Sequence, residues 1–156
     1  MFTNHPENIR FKLAQFSDLT VAELYTIIQL REEVFVVEQN CPYLDCDDKD
    51  QKSWHCCFYI EEKLAGYTRL VPTVKKSIWQ IGRVVVHPDF RNRALGKHIM
   101  NSSIDILIRQ LNCKRIELSA QTYLLSFYKD LGFQPIGESY LEDNIPHIKM
   151  IYNQPS

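Results

Sequence analysis

Glycine is scarce in this sequence: five of 156 residues, at positions 66, 82, 96, 132 and 137. Their spacing permits neither G-x-G-x-x-G nor G-x-x-x-x-G-K-[ST], which excludes the dinucleotide fingerprint and the Walker phosphate loop. Gly96-Lys97 comes nearest, but His98 follows it and Arg91 stands where the first glycine would be. The five cysteines (Cys41, Cys46, Cys56, Cys57 and Cys113) are odd in number and contain no C-x-x-C pair. No apolar run approaches the roughly 20 residues needed to span a bilayer. Residues 1–10 are polar and lack the apolar region of a secretory signal. These absences predict a cytoplasmic protein with free thiols and no membrane contact. An excess of one charge is missing too: 18 basic and 19 acidic residues leave a net charge of −1. Nucleic-acid binding is therefore disfavoured. A metal centre from Cys41, Cys46, His55, Cys56 and Cys57 is disfavoured because neighbouring strand residues such as Cys56 and Cys57 face opposite ways.

The chain is long enough for one domain, taken as residues 1–156, that buries roughly two thirds of its unfolded surface. Hydrophobic residues are 45% and charged residues 24%, ordinary for a globular protein. Residues 9–14 alternate as a strand does. Thr20-Val-Ala-Glu23 reads as a capping box for a helix carrying Leu24, Ile27, Ile28, Arg31, Val34 and Phe35 at helical spacing. Residues 38–50, with five acids, one lysine and Pro42, read as a solvated loop. Trp54–Ile60 and Leu64–Val71 form a hairpin, and Ile78–Val86 a third strand ending at His87-Pro88. A helix follows from about 94 to 111, then a strand over 115–120. A short helix over 122–131 closes at Gly132, and strands at 133–137 and 145–152 end the chain. This order predicts an α/β (α+β) fold: a mixed sheet, antiparallel in its first half, with one right-handed parallel crossover and helices on both faces.

Two segments carry chemistry. In Val84-Val85-Val86-His87-Pro88-Asp89-Phe90-Arg91-Asn92-Arg93-Ala94-Leu95-Gly96-Lys97 a strand ends, three basic residues follow and a helix begins. Unpaired N–H groups and small residues at such a helix start suit a pyrophosphate. By spacing alone, Arg91, Arg93 and Lys97 suit a solvated charge run slightly better. In Ser126-Phe127-Tyr128-Lys129-Asp130-Leu131-Gly132-Phe133, Tyr128 alone reads as a packing residue with a polar tip. Arg69 and Arg83 interrupt apolar strands: either they pair with acids across the sheet, or they form a positive pocket that clamps an acceptor's carboxylate.

Arg91-x-x-Ala94-x-Gly96 resembles the acetyl-CoA loop of the GCN5-related N-acetyltransferase (GNAT) superfamily, and Phe127-Tyr128-x-x-Leu131-Gly132-Phe133 resembles its helix-to-strand signature. Leu30-Arg31-x-x-Val34-Phe35-Val36-Val37-Glu38-Gln39-Asn40-Cys41-Pro42-Tyr43 and Ile145-Pro146-His147-Ile148-x-Met150 resemble the ElaA-like branch. Ala94 stands where the superfamily usually has glycine, so its methyl is expected to crowd the pyrophosphate or to alter the helix entry, with cofactor binding retained. The resemblance implies a splayed central strand pair, Ile78–Val86 and Arg115–Ala120. Pantetheine would lie on the backbone of Val84 and Val86, with a backbone N–H near Val85 polarising the thioester carbonyl and the N–H groups of residues 91–97 holding the pyrophosphate. It further implies acetyl-CoA as cosubstrate without a metal, Tyr128 as general acid, and Glu38, His147 or Glu117 as candidate bases.

The resulting reading is an N-acetyltransferase acting on a primary amine of a small molecule or peptide. Its alternative is an acyl-CoA-binding or sensing module without turnover. Exposed sheet edges would also allow a homodimer.

Overall fold

The computed structural model describes residues 8–155; the first seven residues of the polar N-terminal stretch and Ser156 lie outside the described residues. Strand β1 (Ile9–Gln15) leads into helix α1 (Val21–Arg31). The capping box is complete: the Glu23 N–H donates to Thr20 Oγ1 at 3.0 Å, and the Thr20 N–H donates to Glu23 Oε1 at 2.9 Å. Two donors left open by the helix start are thereby satisfied.

The helix predicted to run through Phe35 changes its winding at Arg31. Glu32–Glu38 form a π-helical turn, with the Gln39 N–H on the Val34 carbonyl (3.2 Å) and the Cys41 N–H on that of Val36 (3.0 Å). Apolar spacing cannot separate the two windings over one turn. The face made by Ile27, Leu30 and Arg31 continues inward through Val34 in both. Such π turns concentrate at functional sites.

Next come β2 (Trp54–Ile60), β3 (Lys63–Pro72), β4 (Ile78–Val86), α2 (Leu95–Arg109), β5 (Arg115–Gln121), α3 (Leu125–Asp130), β6 (Gln134–Glu142) and β7 (Ile145–Asn153). They build one seven-stranded sheet in the order β1-β2-β3-β4-β5-β7-β6. Every neighbouring pair is antiparallel except β4 and β5, which the α2 crossover joins in parallel. Strand β6 runs five residues beyond the predicted end at Gly137, to Glu142. Its residues after Ile136 are exposed, so no apolar alternation marked them.

The strand alternation delivers both faces of the sheet to cores. Cys56 and Phe58 pack with Ile99, Met100 and Leu107 of α2, whereas Cys57 and Tyr59 pack with Ile27 and Leu30 of α1. The adjacent Cys56 and Cys57 thus lie on opposite faces, both buried and free. Gly132 closes α3 in a Schellman arrangement, its φ of 103° matched by the Phe133 N–H on the Tyr128 carbonyl (3.1 Å) and the Gly132 N–H on that of Lys129 (3.0 Å).

Candidate active site

Parallel pairing of β4 with β5 covers only Ile78–Gln80 against Arg115–Glu117. Beyond this point β4 runs on to Val86 and β5 to Gln121, so the two strands diverge. A bulge accompanies the divergence. Tyr67 faces Val85 and Arg69 faces Gly82, which leaves Thr68 opposite both Arg83 and Val84. Bulges add twist and re-aim a strand. Arg83 adopts a φ of 51° there, a conformation that costs a non-glycine residue on the order of 1–2 kcal/mol. Its side chain is anchored in return, with Nε donating to Asp45 Oδ1 at 2.9 Å and Nη2 to the Asp45 carbonyl at 3.0 Å.

The divergence opens a cleft of about 870 Å³, lined by Val84, Val85, Val86, Arg91, Gly96 and Tyr128 among others. Pockets for small molecules and cofactors usually occupy about 300–1,000 Å³. The segment just after the π turn spans its other side. Glu38 binds Arg91, Gln39 Oε1 accepts from Gln121 Nε2 at 3.4 Å, and Cys41 Sγ donates to the Asp143 carbonyl at 3.3 Å.

At one end of the cleft α2 begins without a side-chain cap, because its N-cap is Ala94. The first bond into the helix is from the His98 N–H to the Ala94 carbonyl, 3.3 Å, so the N–H groups of Leu95, Gly96 and Lys97 lack intrahelical partners. Open donors at a positive helix end fit a pyrophosphate. Of the two effects expected of the Ala94 methyl, crowding of that group or a changed helix entry, the backbone shows the second. Ala94 is exposed with φ 56° and ψ 20°, so its cost lies in the left-handed backbone, where glycine is at ease. Gly96 is not required by packing: a Cβ there would stand 3.6 Å from Phe127, an ordinary contact. Of residues 91–97 only Arg91 and Gly96 line the cleft. Asn92, Arg93 and Lys97 are exposed, Leu95 is buried in the core, and the Arg93 guanidinium sits over the Phe90 ring.

Tyr128 reaches the cleft from α3 and is 6% exposed. Burial, with the neighbouring Tyr123 second, pushes its hydroxyl up to about 12. It therefore stays protonated at neutral pH, as a proton donor must.

The three candidate bases fare differently. Glu38 lines the cleft, but its carboxylate takes both Arg91 terminal nitrogens, at 2.6 and 2.9 Å. Glu117 is corrected: it does not line the cleft and instead lies near Lys149 (3.2 Å) and Arg115 (3.3 Å). It sits where β4 and β5 are still paired, before the strands part. His147 lines the cleft and is 7% exposed, with Nδ1 donating to the Ile145 carbonyl at 2.6 Å.

Of the two readings of Arg69 and Arg83, pairing with acids holds and the positive pocket is corrected. Both line the cleft, but their guanidinium groups are engaged by the acidic loop. Arg69 binds Asp47 (2.8 Å) and Asp50 (2.9 Å), and Arg83 binds Asp45 (2.9 Å) and Asp47 (3.3 Å). Arg31, fully buried, completes the cluster on Asp45 (2.7 Å) and Asp50 (2.8 Å). Three guanidinium groups meet three carboxylates, so no positive charge is left over for an acceptor anion. The partners lie on the loop rather than across the sheet. Nor is the acidic loop a merely solvated one: Asp45 and Asp50 are buried. Burial favours the neutral form of Asp47, but hydrogen bonds from Arg69 and the charges of Arg69 and Arg83 outweigh it and hold that carboxyl well below the usual range.

Sequence reasoning missed Ser119, Tyr140 and Glu142, which gather around His147 across β5, β6 and β7. Arg31 carried a readable signal, a charge on the apolar stripe of α1. Among the described residues no helix is long and apolar enough to cross a membrane, and no group of three or more His, Cys, Asp or Glu is placed to hold a metal.

Comparison with known proteins agrees with this geometry. Residues 16–153 match the acetyltransferase (GNAT) domain family. The chain is 39% identical over 145 residues to a UPF0039 protein of Schizosaccharomyces pombe, covering 92% of this chain and 96% of that one. It is 38% identical over 143 residues to protein ElaA of Escherichia coli, covering 86% and 90%. The crystal structure of E. coli ElaA superposes with a TM-score of 0.86, covering 94% of this chain and 100% of that one. An acyl-CoA N-acyltransferase from Pseudomonas aeruginosa superposes equally well, TM-score 0.86, at 37% identity over 93% and 99% of the two chains.

Proposed function

Because this chain belongs to the acetyltransferase (GNAT) family, we propose that it is an acetyl-CoA-dependent N-acetyltransferase moving an acetyl group from the thioester to a primary amine. The observation that carries this reading is the cleft itself. A stretch of β4 unpaired on its β5 edge leads to the uncapped start of α2, with the protonated Tyr128 beside it. The P. aeruginosa neighbour bears the name of an acyl-CoA N-acyltransferase, which supports an acyl-CoA as donor.

Each part has a physical task. The backbone of Val84 and Val86, left without a partner on the β5 side, pairs with pantetheine as an added strand would. N–H groups at the start of α2 hold the pyrophosphate, and a backbone N–H near Val85 polarises the thioester carbonyl. Tyr128 donates a proton to the departing thiolate. Five free cysteines suit a reducing cytosol.

A second reading, an acyl-CoA-binding module without turnover, is favoured by one observation: the Glu38 carboxylate is held by Arg91 and so is not free as a base. The two readings part in one experiment. Acetyl-CoA is titrated while thermal unfolding is followed, and a panel of primary amines is then screened for release of free CoA thiol. Stabilisation with release supports the transferase; stabilisation without release by any amine supports the binding module.

A further inference from the structure

Val84 and Val86 turn their backbone groups to the open side of β4 because the strand changes phase at Arg83. Along a strand, the N–H and C=O groups of alternate residues point to the same side. Ahead of the bulge, the Ser77 carbonyl accepts from the Arg115 N–H at 3.2 Å, so Trp79 and Ile81 also face β5. Past the bulge, the His87 N–H donates to the Ala65 carbonyl of β3 at 2.8 Å, so Val85 faces β3 and Val84 and Val86 face the open side. Unbroken alternation would instead turn Arg83 and Val85 outward and commit Val84 and Val86 to the β3 ladder. The extra residue of the bulge makes the difference.

Arginine is an unusual choice for that residue. A bulge whose first residue is left-handed ordinarily has glycine there. Here Gly82 stands one place earlier and is outside the left-handed region, whereas Arg83 takes a φ of 51°. The side chain supplies the reason. Nε donates to Asp45 Oδ1 at 2.9 Å, and Nη2 donates to the Asp45 carbonyl at 3.0 Å and to Asp47 Oδ2 at 3.3 Å. The guanidinium carbon lies 5.7 Å from the centre of the Tyr43 ring, whose hydroxyl donates to Asp45 Oδ1 at 2.9 Å. Asp45 is 5% exposed and is also held by the buried Arg31, at 2.7 Å. The tether therefore ends on a fixed point.

We infer that Arg83 is a positioning residue for acyl transfer: moored to Asp45, it holds the left-handed turn that aims the Val84 and Val86 N–H groups at the thioester carbonyl. The inference rests on the transferase reading above and goes beyond it, because it assigns the aim of the carbonyl donors to an ion pair with the acidic loop. Arg83 acts through the backbone that follows it. Donors stabilise developing negative charge best when they already point at it, since no reorganisation is then needed during the reaction. Glycine at 83 would adopt the same φ at ease, but would populate φ below zero about as readily. Arginine exchanges that ease for a single setting, with its strain held by the surrounding charges.

The test uses the full chain and acetyl-CoA carrying carbon-13 in its thioester carbonyl, followed by NMR. A hydrogen bond to the carbonyl oxygen moves this signal downfield of that of free acetyl-CoA. The wild type should show the displacement. Arg83→Gly should lose more than half of it while binding acetyl-CoA within threefold of the wild-type affinity. With an amine that releases thiol, its kcat should fall at least tenfold and its acetyl-CoA KM should change less. Leu107→Ala, which opens a cavity in the core beneath α2, is the control for lost stability and should keep the displacement. Arg83→Lys retains a cation beside Asp45 and so protects the fold, but it cannot make the two-atom contact and should lose part of the displacement. Full displacement in either Arg83 variant would overturn the role of Arg83. So would an undisplaced carbonyl signal in the bound wild type, or a loss in Leu107→Ala equal to that in Arg83→Gly. The transferase reading is judged separately, by the acetyl-CoA melting shift and thiol release in the wild-type protein.

Discussion

Arg31 Nη1 and Asp50 Oδ1 lie 2.8 Å apart inside the protein, on side chains 0% and 9% exposed. The pair ties α1 to the end of the acidic loop, 19 residues later in the chain. Asp45 joins it through Arg31 Nε at 2.7 Å, and Arg69 meets Asp50 from the sheet at 2.9 Å. His55 on β2 adds a further tie: its Nε2–H donates to the Asp50 carbonyl at 2.9 Å, and Nδ1 accepts from the Tyr67 hydroxyl at 2.6 Å. The wall of the cleft is therefore held by buried charge rather than by apolar packing.

Replacing Arg31 by methionine, similar in length and uncharged, should destabilise the protein by about 3–5 kcal/mol. Asp45 and Asp50 would keep their charges in the interior with one cation fewer. Urea unfolding measures the loss, and limited proteolysis should find new cleavage within residues 38–53. A loss near 1 kcal/mol or less, with no new cleavage, would show that the cluster does not hold the loop.

Acid should act in two stages. Burial pulls His55 below its ordinary value, so the folded state prefers the neutral ring. Its contribution is complete above about pH 6.5 and fades as pH falls below that value. Asp47 and Asp50 are held below the carboxylate range by their arginines against the effect of burial. Their contribution is complete above roughly pH 4 and is lost as pH falls through the folded values. A plot of urea midpoint against pH should show both declines, and His55→Gln should remove the upper one. An upper decline that survives His55→Gln would assign it to another group.

Tyr128→Phe should lower kcat at least tenfold, a typical scale for losing a general acid. The phenyl ring preserves the contacts of Tyr128 with Phe127 and Phe133, so the acetyl-CoA melting shift should stay close to that of the wild type. With the hydroxyl pushed up to about 12 by burial, its ionisation should not shape the wild-type rate between pH 6 and 9. Unchanged kcat at neutral pH in the variant would remove Tyr128 from the proton transfer.

Ala94→Gly should stabilise the protein by about 1 kcal/mol, because it removes a left-handed non-glycine residue from an exposed helix start. Ala94→Val should cost more than that gain, since β-branched residues tolerate the conformation least. Thermal unfolding with and without acetyl-CoA separates the backbone effect from any change in cosubstrate affinity. A melting temperature unaltered by the glycine would place the strain elsewhere in the loop.

Local order was legible in the sequence because it depends on near neighbours. Thr20 and Glu23 announced the start of α1, Pro88 the end of β4, and Gly132 the end of α3. Alternation at Cys56 and Cys57 placed them on opposite faces before any partner was known. The Arg91-x-x-Ala94-x-Gly96 loop and Tyr128 were marked out by family resemblance, and the fold brings Arg91, Gly96 and Tyr128 to one cleft.

What lay beyond the sequence was which charge meets which. Residues 38–50 looked like a solvated acidic loop, and Arg69 and Arg83 were open between pairing with acids and a positive pocket. The first reading failed, and the second choice was decided by the fold, because the counter-charges sit 14 to 38 residues away along the chain. Glu117 and His147 looked alike as candidate bases. The splay of β4 from β5 begins just past Glu117 and leaves it among cations, while the β7 register carries His147 to the cleft beside Glu142. Side-chain periodicity, caps and turns are properties of a few consecutive residues, so the sequence determines the elements and their order. The pairing of buried charges depends on distances set only when the sheet closes, so the tertiary structure alone decides which polar residues are engaged and which remain for chemistry.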